Sequence, residues 1–241
     1  WRWIDYQNIS KSKEKKHIVL AGDSIFDNGS YVPGQPDVAQ QLRNQLGEES
    51  NVTLLAIDGD ITRGVQDQLK QLPEDTSHLF ISVGGNDALG QMHMFTDPIS
   101  SVGEGFLKFS RVQTNFQEDY KAMLENALSL SIPTTICTIY KPCFYHPDMS
   151  RVGTYIGNGV SNEDLQNVSV TALTAFNDVI LQEAVNNGIP LIDLRVMYDN
   201  VADYANPIEP STIGGQKMVS VMESIINGHP FGENLAVLYS N

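Results

Sequence analysis

The 241-residue chain is 41% hydrophobic, enough for one sizeable core, and a single domain over residues 1–241 is the simplest organisation. A formal net charge of -14, from 29 acidic and 15 basic residues, argues against partners that present a phosphate backbone or an anionic membrane surface. No apolar stretch approaches the roughly 20 residues of a membrane-spanning helix, so no membrane insertion is expected.

Residues 1–16 read as a lead-in segment whose lysines between Lys11 and Lys16 form a solvated run rather than a nucleic-acid patch. The chain opens on Trp1 without an initiator Met, as a soluble protein trimmed of an N-terminal segment would. The first strand is expected at 17–21, His-Ile-Val-Leu-Ala, nearly continuous in apolar residues as a strand covered on both faces requires. A helix over 38–46 follows, led by Pro36-Asp37 and ended by Gly47. A strand at 52–57 precedes a helix over 63–72 with Val65, Leu69 and Leu72 near helical spacing, and a third strand occupies 78–83. Then come a helix over 116–130, a strand at 133–139, a helix over 170–185 stopped by Gly188, a strand at 189–192 and a closing helix over 211–226. Residues 229–241 read as a tail, with His229 at the surface. This alternation implies right-handed crossovers and a doubly wound, three-layer α/β/α domain on a parallel sheet of about five strands.

Two segments break the rhythm. Residues 90–111 and 142–162 carry scattered Gly, Pro, Met and aromatic residues, and each follows a strand. Ligands in such folds bind outside the carboxyl ends of the strands, so both segments are expected to wall or cover a pocket. The two cysteines, Cys137 and Cys143, make no disulfide framework.

Chemistry-bearing residues gather at the expected strand ends. Ser24 lies in Gly22-Asp23-Ser24-Ile25, directly after the first strand. A strand-to-helix turn exposes a hydroxyl and offers backbone N–H groups to a developing oxyanion, although helix-capping serines also occupy such turns. Gly59, in Asp58-Gly59-Asp60 after the second strand, can present an unobstructed N–H to the same point. The third strand closes on Gly84-Gly85-Asn86-Asp87, where the Asn86 amide can donate directly. Three strand ends thus deliver one nucleophile and two oxyanion donors.

On these residues the chain resembles the SGNH/GDSL hydrolase family of esterases and lipases: Gly22-Asp23-Ser24 matches the first family block, Gly59 the second and Gly84-Gly85-Asn86-Asp87 the third. The resemblance spans about 17–226 and implies a flavodoxin-like three-layer core, with Ser24 as nucleophile and an oxyanion hole of the Ser24 and Gly59 N–H groups and the Asn86 side chain. The family's last block is an aspartate, two residues and a histidine. Here the segment reads Asn206-Pro207-Ile208-Glu209-Pro210-Ser211, with Asn206 in the aspartate's place and Glu209 in the histidine's.

A glutamate is a weaker base than histidine by roughly two pKa units unless burial or neighbouring carboxylates raise it. Asp23, Asp27, Asp58, Asp60 and Asp87 all flank the expected strand ends. A Ser24–Glu209 pair oriented by Asn206 can then work as an altered catalytic unit. Asp23 and Asp87, with His93 and His146 of the two irregular segments, are the candidate substrate-binding residues, and either histidine is an alternative base. Converging carboxylates can hold Ca²⁺ or Mg²⁺, but no calcium-loop spacing occurs, and neither a metal nor another cofactor is expected. The expected activity is hydrolysis of small acyl or acetyl esters through an acyl-enzyme; the alternative is a binding domain on the same scaffold without turnover. A nucleotide-binding reading finds no Walker loop and no G-x-G-x-x-G after a strand.

Overall fold

A computed structural model describes residues 15–149, 160–233 and 235–240. Strands β1 (His17–Gly22), β2 (Asn51–Leu54), β3 (His78–Ser82), β4 (Thr134–Cys137) and β5 (Leu191–Ile192) lie at the five expected places. A short hairpin of β6 (Tyr204–Asn206) and β7 (Glu209–Pro210) follows, and β8 (Leu238–Tyr239) comes last. The main sheet is parallel throughout, in the order β2-β1-β3-β4-β5-β8. Because β2 and β3 pair with opposite sides of β1, the strand order reverses there and opens a crevice at the carboxyl ends of β1 and β3.

Helices α1 (Val38–Leu46) and α7 (Thr212–Gly228) cover one face; α2 (Val65–Leu69), α4 (Val102–Ser129) and α5 (Asn162–Asn187) cover the other. Two short helices, α3 (Gly85–Leu89) and α6 (Leu194–Met197), follow β3 and β5. Alternate residues of β1 feed the two cores: Ile18 and Leu20 pack with Val38, Leu42, Met218 and Met222, while Val19 and Ala21 pack with Tyr120, Met123 and Ile180. That double burial is why β1 reads as an unbroken apolar run.

Three expectations change. Helix α4 starts at Val102 rather than at 116, because Ser101 accepts the Glu104 N–H at 3.1 Å and caps a turn that Gly103 and Gly105 made look loop-like. Helix α5 likewise starts at Asn162, where Ser161 accepts the Asp164 N–H at 3.0 Å. The tail is no tail over 238–239: β8 adds a sixth strand, and His229 is buried, with Nδ1 2.9 Å from the Tyr239 hydroxyl. Among the described residues no helix is long and apolar enough to cross a membrane.

Candidate active site

The first site loop begins where only glycine fits. Gly22 has φ +131°, and a Cβ there would run into the Ser82 carbonyl of β3. The Asp23 N–H donates to that carbonyl at 3.1 Å, and the Asp23 carbonyl then accepts from Phe26 and Asp27 N–H, both at 3.1 Å. This tight turn sets Asp23 and Ser24 at the mouth of the crevice. Buried Gln68 braces it: Gly22 N–H donates to Oε1 at 2.7 Å, and Nε2 donates to the Gly22 carbonyl at 2.8 Å and to Asp60 Oδ2 at 2.7 Å.

Carboxylates tie the second loop to the first and the third to the second. Asp27 Oδ2 accepts the Asp58 N–H at 2.9 Å, and Asp87 Oδ2 accepts from Thr62 N–H and Oγ1, each at 3.0 Å. Burial raises the Asp87 carboxyl above its ordinary pKa against the pull of those Thr62 bonds. Gly59 takes φ +84° at the third position of the turn that the Asp60 N–H closes on the Ile57 carbonyl at 3.0 Å, a position that favours glycine. Asn86 Nδ2 donates to the Asp60 carbonyl at 2.8 Å with one of its two N–H bonds. Among the described residues the backbone N–H groups of Ser24 and Gly59 have no hydrogen-bond acceptor.

The altered last block is the β6–β7 hairpin. Asn206 and Glu209 face each other across it, and Asn206 Oδ1 accepts the Ile208 N–H at 3.0 Å, so that oxygen is spent on the turn. Both residues are 5% exposed. Long-range bonds fix the hairpin, among them Tyr204 Oη to the Lys141 carbonyl at 2.6 Å. Asn28 Nδ2 donates to the Pro210 carbonyl at 3.1 Å, Tyr140 Oη to the Ile208 carbonyl at 2.6 Å, and Cys143 N–H to the Pro207 carbonyl at 2.8 Å. Behind it Tyr140 stacks on Tyr198 at 4.5 Å, and Tyr204 meets both rings edge-on. Burial, then the Glu209 charge, raises the Tyr140 phenol well above its ordinary pKa.

These loops close around one cavity of about 90 Å³. Asp23, Ser24, Asn86 and Glu209 form its polar end; Met92, Phe95, Phe109, Phe144, Leu173 and Phe176 supply apolar wall. Both irregular segments therefore contribute walls, although residues 150–159 of the second lie outside the described residues. Ser24 and Glu209 both line the cavity. Gly59, Asp87 and Asn206 are not among the residues that line it. The structure does not bring the loop histidines to the cavity: exposed His93 has Nδ1 3.2 Å from the Gly90 carbonyl, and His146 Nδ1 accepts the Asp148 N–H at 3.0 Å. Among the described residues no group of three or more His, Cys, Asp or Glu is placed to hold a metal ion.

Asp23 is a strongly perturbed group of the site. Burial, reinforced by the negative charges of Asp87, Asp60 and Asp58, pushes its carboxyl up to about 8, against the lowering pull of the Ile25 N–H. That N–H donates to Oδ1 at 3.1 Å.

Sequence reasoning missed Gln68, Asn28 and Tyr140 as site supports. Gln68 had a signal: with Val65, Leu69 and Leu72 it lies on the apolar face of its helix, where an uncharged amide needs buried partners.

A parallel sheet that reverses order at β1, with a cavity at the carboxyl ends of its strands, defines a doubly wound α/β protein. The sequence profile of the GDSL-like Lipase/Acylhydrolase family matches residues 20–216, and the chain belongs to that family. Similar solved structures share the fold at low identity. An extracellular lipase from Streptomyces rimosus is 17% identical, with 87% of this chain and 99% of that chain covered and a TM-score of 0.59. The acetyl xylan esterase AlAXEase is 15% identical over 87% and 99%, with a TM-score of 0.58. Phospholipase A1 from Streptomyces albidoflavus NA297 is also 15% identical over 87% and 99%, with a TM-score of 0.57. A search of curated proteins gave no match.

Proposed function

We propose that the protein hydrolyses small carboxylic esters through an acyl-enzyme on Ser24. The observation that carries this reading is the cavity: Ser24, Asn86 and Glu209, from three separate elements, converge on one end of a space whose remaining wall is largely apolar. The ester carbonyl would sit against Ser24. Its developing oxyanion would be met by the unengaged N–H of Ser24 and the second N–H of Asn86, both of which line the cavity. Glu209 would take the Ser24 proton, its hairpin held in place by Asn28 and Tyr140. The acyl group would lie along the Phe109 and Phe176 side of the wall.

Hydrolysis of 4-nitrophenyl esters from acetate to octanoate tests the reading. Ser24→Ala lowers kcat/KM by at least about a thousandfold, and Glu209→Gln by about a hundredfold. Each added methylene raises kcat/KM about fourfold, from about 0.8 kcal/mol of apolar burial, until the cavity is full. Ser24→Ala hydrolysing as fast as the native chain would remove the serine mechanism; Glu209→Gln doing so would remove only the assigned base.

A further inference from the structure

The carboxyl beside the nucleophile has a part that neither the oxyanion donors nor Glu209 supplies. Asp23 is 1% exposed yet belongs to the wall of the cavity that holds Ser24. Its two oxygens are unequal. Oδ1 is anchored by the Ile25 N–H at 3.1 Å. Oδ2 faces the loop after β3, 3.8 Å from where a Cβ on Gly85 would stand, and accepts no hydrogen bond among the described residues. Gly85 and Asn86 line the same end of the cavity, so Oδ2 lies between the nucleophile turn and the loop that carries the Asn86 amide.

The groups around Asp23 come from every neighbouring element. Asp58 and Asp60 act on it from the second loop and Asp87 from α3, all with negative charge. Glu209 shares the cavity wall from β7. Cys137 at the end of β4 and Tyr140 beyond it also feel the Asp23 charge, and burial drives both of their ionisations upward. Among the described residues the charges that act on Asp23 are those of Asp87, Asp60 and Asp58, all negative. An ionised Asp23 would put one more negative charge, unpaired, beside the forming oxyanion. A carboxylic acid there does the opposite, because its O–H is a donor in a water-poor site.

We propose that Asp23 is a catalytic residue in its neutral form: Oδ2–H donates a hydrogen bond to an oxygen of the bound ester, and loss of that proton switches the site off. No proton is transferred; the bond strengthens as negative charge builds on the ester oxygen. The proposal rests on the reading of Ser24 as an ester-hydrolysing nucleophile. The burial-raised titration of Asp23, at about 8, sets the pH region in which the switch acts.

The test is the pH dependence of kcat/KM on 4-nitrophenyl butyrate between about pH 5 and 10, for the native chain, Asp23→Asn and Asp23→Ala, with Ser24→Ala as blank. The native chain loses activity about tenfold per pH unit on the alkaline side. Asp23→Asn keeps a donor and the Ile25 bond, so it is about tenfold slower at neutral pH but lacks that alkaline limb. Asp23→Ala is slower by about a hundredfold at neutral pH and likewise lacks the alkaline limb. An unchanged alkaline limb in Asp23→Asn, or equal rates in the Asn and Ala variants, overturns the proposal. Infrared difference spectra read the protonated carboxyl without turnover. A carboxylic-acid band present at neutral pH and missing in Asp23→Asn supports the neutral form, and its absence from the native chain overturns it. Hydrolysis that survives in Ser24→Ala would remove the serine reading, while the infrared band still reports on Asp23.

Discussion

Asp23 links the chemistry of single residues to the stability of the fold. Its carboxyl has an ordinary pKa of 3.8, the value for the unfolded chain, and sits at about 8 in the folded one. Between those values the folded chain binds a proton that the unfolded chain has released, so this group's contribution to stability falls as pH rises from about 4 to about 8. Asp23→Asn removes the gradient. At about pH 7 the variant is more stable by up to about 4 kcal/mol, and near pH 4 the two chains melt alike. Thermal melts at the two pH values check this; a destabilised Asn variant at neutral pH would show that the charged form is the native one. That Ser24 and Asn86 line one cavity was legible in the sequence, because each follows a strand end and needed only the order of the strands; Gly59, expected beside them, does not line it. The supports of the site were not legible. Gln68 bonds to Gly22 across 46 positions and Asn28 to Pro210 across 182, and no local pattern carries such pairings.

At the scale of elements the same contrast appears. The five strands of the alternating pattern and helix α1 were readable because each is long enough, or buried enough, to show its period. The β6–β7 hairpin has five residues in its strands, too few for any period, and takes its shape from tertiary bonds. Asn28 is the clearest of these. Fully buried, it accepts the Val38 N–H at 2.9 Å and donates to the Pro210 carbonyl at 3.1 Å, joining the start of α1 to the strand that carries Glu209. Asn28→Ala leaves both backbone groups unsatisfied, for a loss of about 2–4 kcal/mol in stability. It also frees the hairpin end, so kcat falls by about tenfold while KM stays within about twofold. Urea unfolding and steady-state kinetics measure the two effects. A KM rise with kcat intact would mean that the hairpin serves binding rather than the positioning of Glu209.

On the scale of the whole molecule, the sheet is completed by its last described residues. Strand β8 closes the β5 edge: Leu191 N–H donates to the Val237 carbonyl at 2.9 Å and Asp193 N–H to the Tyr239 carbonyl at 2.8 Å. The Tyr239 ring packs on His229, and His229 on Phe231, which in turn meets His78 at the start of β3, so the segment after α7 is stitched back to the sheet's amino-terminal side. The sequence hid this because the strand Leu238–Tyr239 is two residues long, at the end of an apolar run from Leu235 too short to show a period. Deleting residues 235–241 removes these contacts and bares the β5 edge. The expected outcome is a loss of about 2–3 kcal/mol, a melting temperature lower by about 5–10 °C, and aggregation on heating through the unpaired edge. The nucleophile loop lies at β1, three strands away in the order β1-β3-β4-β5, and the cavity takes no wall from residues 235–241. Turnover per folded molecule, measured well below the melting point, therefore stays within about twofold of the full chain. A truncated protein that melts lower yet hydrolyses at the native rate separates the edge that stabilises the sheet from the crevice that does the chemistry. One that loses both together would show that the sheet transmits disorder from β8 to Ser24.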